Sequence, residues 1–220
     1  MVLWQDGKTP SDITVFRTGK GIELPDFVQQ IGIINTSAYP DPVFSDYRGR
    51  TFSLGSQSKL PFANAYSTPE TLGRDRLAAI AGAVHRFPNQ DVLVLDAGTC
   101  LTSSLLVDGA FVGGSISPGL NMRYRAMHEF TGKLPLLETG PAQTLVGRST
   151  EESMRSGAWF GYLAEVNERM AAVKALHPKC ICVLTGGDAP VLAEHIKYPI
   201  FAEPLLNHYG LLFCLQINEL

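Results

Sequence analysis

Apolar and polar positions along this chain fall into a few clear rhythms. Val92-Leu-Val-Leu is apolar without a break and closes on Asp96-Ala-Gly-Thr99. Such a run predicts a strand buried on both faces, here ending in a turn that faces something polar. Leu101 to Val107 and Ala110 to Ser115 read as two further strands around Asp108-Gly109, a dipeptide suited to a type I′ hairpin because both central residues of that turn take positive φ. The start of the chain repeats the later part of this pattern. Val2-Leu-Trp4, Asp6-Gly7 and Ile13-Thr-Val-Phe16 read as strand, turn and strand. The strand and acidic turn that open the later copy have no counterpart in residues 1–40, so the first copy is expected to lack them, its matching acidic residue falling ahead of Met1.

Helical spacing appears from Arg76 to Phe87, where Leu77, Ile80, Ala81 and Val84 share one face and Pro88-Asn89 ends the run. Ahead of it, Ile31-Gly-Ile-Ile34 reads as a strand and Tyr39 to Asn64 as Pro-, Gly- and Ser-rich connection. Behind the second β unit, helices are expected over Leu120 to Phe130 and Glu151 to Leu176. The strand Cys180 to Leu184, a turn at Gly186-Gly187 and a last helix from Glu203 to Ile217 follow. Two β-meander-plus-helix units in tandem predict a duplicated α/β fold of the actin and sugar-kinase type (ASKHA), its first strand absent. Residues 1–90 would form one half and residues 91–220 the other, with a nucleotide in the cleft between them.

Composition narrows the partners. The chain has 220 residues, 45% of them hydrophobic, and a formal charge of -3, which gives no electrostatic reason to expect nucleic acid or a membrane surface. No stretch approaches the ~18 apolar residues of a membrane helix, and no leader pattern opens the chain; a cytoplasmic protein acting on small solutes is expected. Cys100, Cys180, Cys182 and Cys214 sit in apolar contexts without a C-x-x-C pair, as buried thiols in a reducing compartment do, and predict no zinc site.

Candidate chemistry gathers at turns. In Asp96-Ala-Gly-Thr99, Gly98 lets the backbone approach a ligand, Thr99 offers a hydroxyl and an amide to phosphate oxygens, and Asp96 can hold a cation; the bland alternative is a hairpin whose Asp accepts turn amides. Thr185-Gly186-Gly187-Asp188 follows an apolar strand and suits an adenosine lying over it, or is only a loop. Gly113-Gly-Ser-Ile-Ser-Pro-Gly119 either turns amides towards an anion at a helix start or is a crowded corner. In Leu72-Gly73-Arg74-Asp75-Arg76, positive charge and a helix N-terminus favour an ionised Asp75 able to accept a proton from a substrate hydroxyl; the competing reading is a helix cap with surface salt bridges. Gly7-Lys8-Thr9 is not a P-loop, for no glycine lies upstream at the required spacing.

The order of these motifs is more specific than any one of them. Asn64-Ala-Tyr66, Pro69, Leu72-Gly73-x-Asp75-Arg76, Asp96-Ala-Gly-Thr99, Gly113-Gly-x-Ile116-x-Pro118-Gly119, Leu134-Pro135, Gly147-Arg-Ser-Thr150-Glu-Glu-Ser153 and Thr185-Gly-Gly187 together resemble the type III pantothenate kinases, closely over residues 60–190. The resemblance implies transfer of the γ-phosphate of ATP to pantothenate, the first step towards coenzyme A, with Mg2+ and a monovalent cation (K+ or NH4+), in a homodimer. It implies Asp75 as general base and Asp96 as ligand of the monovalent cation. Tyr66, Gly73, Arg74, Asp75, Arg76 and Thr150 would contact pantothenate, and Gly98, Thr99, Gly186 and Gly187 would contact ATP. Two features depart from that family: its opening D-x-G-N-T phosphate turn is missing, and Thr131-Gly-Lys133 stands where Thr-Ala is usual. Without that turn the chain is expected to be a weak or inactive kinase. The alternatives are a non-catalytic metabolite-binding or regulatory relative and a kinase of another small alcohol.

Overall fold

The fold is organised around one strand. In a computed structural model that describes residues 2–4, 10–13, 30–36 and 49–218, the elements in chain order are β1 (Val2–Trp4), β2 (Pro10–Ile13), β3 (Gln30–Ile33), β4 (Arg50–Ser53), β5 (Ala63–Asn64), a 3₁₀ turn (Pro69–Thr71), α1 (Arg74–Arg86), β6 (Val92–Ala97), β7 (Cys100–Val107), β8 (Ala110–Pro118), α2 (Leu120–Glu129), α3 (Thr150–Leu176), β9 (Ile181–Thr185), α4 (Ala189–Ala193), β10 (Phe201–Ala202) and α5 (Leu206–Asn218). β6 is the unbroken apolar run, and it lies inside a six-stranded sheet of order β10-β9-β6-β7-β8-β5. It pairs antiparallel with β7 and parallel with β9.

Strand geometry explains why β6 has no polar face. Alternate side chains point to opposite sides, and both sides are covered by helices. Leu93, Leu95 and Ala97 join α2 and α3 in one core with Tyr124, Trp159, Tyr162 and Met170. Val92 and Val94 join α1 and α5 in the other, with Leu77, Ile80, Phe111 and Cys214. Each fully buried Leu or Val contributes about 1.5–3 kcal/mol relative to exposure, so a strand buried twice is worth most. The β7–β8 hairpin has the expected geometry, with φ of 49° at Asp108 and 73° at Gly109.

α1 and α5 cross antiparallel at unusually close range. A Cβ on Gly82 would lie 2.2 Å from the Leu206 carbonyl oxygen, and one on Gly210 would lie 1.8 Å from that of Ala78. The glycines let the two backbones touch, which fixes the start of α5 relative to α1. α3 begins at a capped turn: Ser149 Oγ accepts the Glu152 backbone N–H at 3.2 Å, and the Glu152 carboxylate accepts the Arg148 N–H at 2.6 Å.

The region from Tyr39 to Asn64 differs from its reading as connection, for it contains β4 and β5. β4 runs parallel to β3, Gln30 opposite Arg50 through Ile33 opposite Ser53. β5 adds two residues beside the start of β8. Neither strand is long enough to show a period. β2 occupies Pro10–Ile13 rather than beginning at Ile13, pairing antiparallel with β1; the expected turn at Asp6-Gly7, the Lys8-Thr9 pair and the residues Thr14 to Phe16 lie outside the described residues.

Candidate active site

Three turns meet near the end of β6. Asp96 is its penultimate residue, opposite Thr102 of β7 and Thr185 of β9. The Thr185-Gly186-Gly187 turn is laid directly on it: Gly186 has a φ of 95°, and a Cβ there would fall 2.4 Å from the Ala97 carbonyl oxygen and 2.6 Å from Asp96 Oδ1. Only glycine fits this position, on both grounds. The Asp188 N–H donates to the Ala97 carbonyl at 2.8 Å, closing the turn against the strand. Gly187, by contrast, has nothing within 4 Å of its Cβ position, so its backbone faces open space.

Asp96 has a partner that motif reading missed. Asn207, in the first turn of α5, donates its Nδ2–H to Asp96 Oδ2 at 3.2 Å, while its own Oδ1 is buried without a partner among the described residues. Burial pushes the Asp96 carboxyl above its ordinary range, the hydrogen bond from Asn207 works against that, and the negative charge of Asp75 adds to it. Asp75 and Asp96 therefore feel each other, although one begins α1 and the other ends β6. An Asn-His pair inside an otherwise apolar helix was the available signal for Asn207, but the helix reads as core.

The Asp96-Ala-Gly-Thr99 turn is tight. The Gly98 N–H donates to the Cys100 carbonyl at 3.0 Å, and the Gly119 N–H donates to the Thr99 carbonyl at 3.1 Å. A Cβ on Gly119 would lie 2.0 Å from the Gly98 oxygen. Residues 113–119 thus form the crowded corner rather than a set of amides turned to an anion: β8 extends to Pro118, and Gly119 spends its N–H on the neighbouring turn. Gly114 is equally constrained, its Cβ position 1.8 Å from the Ser103 carbonyl oxygen. Thr99 is exposed and lines a cleft of about 280 Å³ with Asn121, Met122 and Arg125 of α2.

At the start of α1, Gly73 is the N-cap and Asp75 Oδ1 accepts the Arg76 backbone N–H at 2.8 Å. A Cβ on Gly73 would sit 2.5 Å from that oxygen, so the glycine makes room for the carboxylate. Asp75 thus folds back over the first turn of the helix. Arg74 reaches Ser53 Oγ of β4 at 3.1 Å. Arg76 is not a surface residue. At 5% exposure its guanidinium donates from Nε to Ser104 Oγ and from Nη2 to the Ser103 carbonyl, both at 3.1 Å. It also lies over the rings of Tyr66 and Phe111, 5.7 and 5.4 Å from their centroids, and those rings stack on each other at 5.5 Å. No carboxylate among the described residues forms an ion pair with it.

Asp75, Arg76 and Tyr66 are thus joined on one side, and Asp96, Gly98, Thr99 and Gly186 on the other, with the charge of Asp75 linking the groups. Thr150 stands apart, exposed as the first residue of α3, and no hydrogen bond among the described residues ties it to the turn at Gly73–Arg76. Among the described residues no three of His, Cys, Asp and Glu gather in a way that could hold a metal ion.

Comparison with known proteins agrees with this set of motifs. The type III pantothenate kinase family model matches residues 43–172. A type III pantothenate kinase of Christiangramia forsetii is 42% identical over 161 residues, 73% of this chain and 66% of that protein. One from Flavobacterium psychrophilum is 43% identical over 150 residues, 68% of this chain and 62% of that protein, and one from Bacteroides fragilis is 43% identical over 167 residues, 76% and 69%. The chain spans about two thirds of the length of these curated relatives. Among solved structures, a conserved Baf family protein from Campylobacter jejuni matches with a TM-score of 0.55 at 20% identity, over 77% of this chain and 73% of that one, and so shares the fold.

Proposed function

Since the chain belongs to the type III pantothenate kinase family, we propose that it binds ATP and pantothenate at the site around Asp75 and Asp96 and transfers the γ-phosphate to the pantothenate hydroxyl. The observation that carries this reading is the packing of the Thr185-Gly186-Gly187 turn on the Asp96 turn, where a Cβ on Gly186 would fall 2.6 Å from Asp96 Oδ1: two backbone-approach turns meet at one carboxylate, which also feels the charge of Asp75. In the reaction the hydroxyl oxygen bonds to the γ-phosphorus, the bond to the β–γ bridging oxygen breaks and ADP leaves. Asp75 accepts the hydroxyl proton. The buried Arg76, which forms no ion pair with a carboxylate among the described residues, suits the carboxylate of pantothenate, and Tyr66, Gly73 and Arg74 would frame it. Gly98, Thr99, Gly186 and Gly187 offer backbone and hydroxyl groups to ATP. Phosphoryl transfer depends almost wholly on such positioning and on offsetting charge.

A monovalent cation, K+ or NH4+, would suit Asp96, since the carboxylate is half-buried and has no cationic side chain bonded to it among the described residues; such an ion would supply a fixed positive charge there. Mg2+ would travel with ATP. Residues 1–90 and 91–220 are read as the two halves around the cleft. Thr150 would act on a pantothenate bound elsewhere than its own Asp75, in a homodimer whose contact includes the exposed Phe130, Leu136, Leu145 and Val146, at 85%, 58%, 70% and 75% exposure. No helix among the described residues is long and apolar enough to cross a membrane, and a cytoplasmic setting suits the substrates.

A second reading, a metabolite-binding or regulatory relative without turnover, draws on the same molecule: among the described residues only one acidic phosphate-type turn is present. The experiment that decides is a pantothenate-dependent ADP-release assay with mass detection of 4′-phosphopantothenate. Product that forms with the native chain and is lost with Asp75→Asn supports the kinase. Binding of both substrates with no product at any enzyme concentration would sink it in favour of the second reading.

A further inference from the structure

An aspartate just ahead of a helix ordinarily caps it, accepting a backbone N–H of the first turn while its own backbone is extended. Asp188 holds that position before α4, yet its angles are helical, φ −87° and ψ −6°, and its side chain caps nothing there. The carboxylate is turned to other elements. Its Oδ2 accepts the Tyr162 hydroxyl of α3 in a long bond of 3.5 Å, the one hydrogen bond of that hydroxyl among the described residues. The N–H of Leu120, the first residue of α2, acts on the same carboxylate: burial raises the Asp188 pKa, and the Leu120 N–H and the Tyr162 hydroxyl work against the rise. α2 needs such an acceptor. Its N-cap is Gly119, which makes no side-chain cap bond, and the first N–H groups of a helix have no partner within it.

These contacts close a ring around the turns. The Asp188 N–H donates to the Ala97 carbonyl at 2.8 Å, and the Gly119 N–H donates to the Thr99 carbonyl at 3.1 Å; the Asp188 carboxylate, between Leu120 and Tyr162, completes the circuit. Tyr162 is a fixed anchor. It is 0% exposed, the Arg123 guanidinium lies 5.1 Å from its ring centroid, and Arg123 Nε donates to the Pro118 carbonyl at 2.9 Å. Gly186-Gly187 is the opposite, a pair with more backbone freedom to lose than any other, and nothing lies within 4 Å of the Gly187 Cβ position.

We propose that Asp188 is a positioning residue for the nucleotide: braced by Tyr162 and the start of α2, its carboxylate fixes the Gly186-Gly187 turn relative to the Asp96-Ala-Gly-Thr99 turn, so that both face one ATP. This rests on the reading of those turns as the ATP site, and adds to it the residue that holds them in register.

Two measurements on the full chain separate the brace from the ligand. Hydrogen exchange over residues 185–189, corrected for intrinsic rates, reads the turn without any ligand. Calorimetric titration reads Kd for MgATP and, separately, for pantothenate. Asp188→Ala is expected to speed that exchange and to raise the MgATP Kd about 10-fold, the cost of a turn that is competent a tenth of the time, with the pantothenate Kd unchanged. Asp188→Asn keeps an oxygen towards Tyr162 and Leu120 and is expected to restore most of both. Tyr162→Phe removes only the hydroxyl; it is expected to act in the same direction but less, the bond being long, and it carries the test if Asp188→Ala does not fold. Native exchange over residues 185–189 in the variant that carries the test overturns the brace. Faster exchange with native MgATP affinity, or an equal loss of pantothenate affinity, overturns the role in nucleotide positioning. A native chain that binds no MgATP sinks the ATP reading itself and the proposal with it, whereas MgATP binding that the variants leave unchanged sinks the proposal alone.

Discussion

The two β regions of this chain contain the same parts, differently joined. In the C-terminal region an antiparallel hairpin, β7–β8, and a parallel pair, β9–β10, are both attached to β6, and the three pieces make one continuous sheet. The N-terminal region has an antiparallel hairpin, β1–β2, and a parallel pair, β3–β4, but each is a two-stranded sheet of its own among the described residues. Removing β6 from the C-terminal sheet would leave just such a hairpin and pair. The contrast teaches what the central strand contributes. It carries both cores and, at its end, the acidic turn on which Gly98, Gly186 and Asn207 converge. Two-stranded sheets are marginal alone, and among the described residues the N-terminal region shows neither a strand joining its two sheets nor a second acidic turn.

The contrast can be broken from either side. The largest effect is expected for Asp75→Asn, which should lower pantothenate-dependent turnover about 10²–10⁴-fold while leaving the melting temperature near the native value; an unchanged rate would mean that Asp75 only caps α1 and that the two regions share no catalytic site. Next comes Leu95→Ala in β6. Leu95 is fully buried, at 0% exposure, and the truncation should cost about 2–5 kcal/mol in urea unfolding. Ile33→Ala in β3, a residue at 8% exposure, should cost only about 1 kcal/mol, because its sheet is two strands wide. Equal costs would erase the distinction between the regions. Gly82→Ala should overpack the α1–α5 crossing and cost about 1–3 kcal/mol, read as a lower melting temperature.

The smallest effect concerns pH. Burial raises the Asp96 pKa above its ordinary 3.8, so the folded chain holds that proton more tightly than the unfolded one. Stability is therefore lost as pH rises from the unfolded pKa through the folded one, and the loss persists at neutral pH. Without K+, Asp96→Asn should raise the melting temperature slightly at pH 7 and give no gain below about pH 4. A gain of equal size at both pH values would show that the charge of Asp96 is not the cause.

Much of the C-terminal sheet was legible because its signals are local. Four consecutive apolar residues in β6, the Asp108-Gly109 turn and the spacing of Leu77, Ile80, Ala81 and Val84 each state their own structure. β4 and β5 were illegible for the opposite reason: Arg50-Thr-Phe-Ser53 shows no alternation, and its pairing with β3 is set by tertiary contact. Asp75 and Asp96 stood out through the turns they occupy. Arg76 was read as one of the guanidiniums flanking Asp75 and, through the resemblance, as a pantothenate contact; its burial was not legible, because Tyr66, Phe111, Ser103 and Ser104 converge on it from three other segments, which no local pattern shows. Asn207 stayed hidden in an apolar helix because the residue it bonds, Asp96, lies far away in the chain.

If the site around Asp75 and Asp96 transfers phosphate as proposed, it needs a second acidic turn like the one that ends β6 to complete the phosphate clamp. This requirement is tested most directly by coupled ATP-consumption assays on two proteins: the 220-residue chain, and the same chain with a strand ending in D-x-G-N-T placed ahead of β1. Both are assayed with pantothenate, Mg2+ and K+. The account predicts that the extended protein turns over at least about 10²-fold faster, the usual worth of one preorganised charge-stabilising element. Comparable rates in the two proteins would contradict it and would mean that residues already in the chain, or its partner in a dimer, supply the second half of the phosphate clamp.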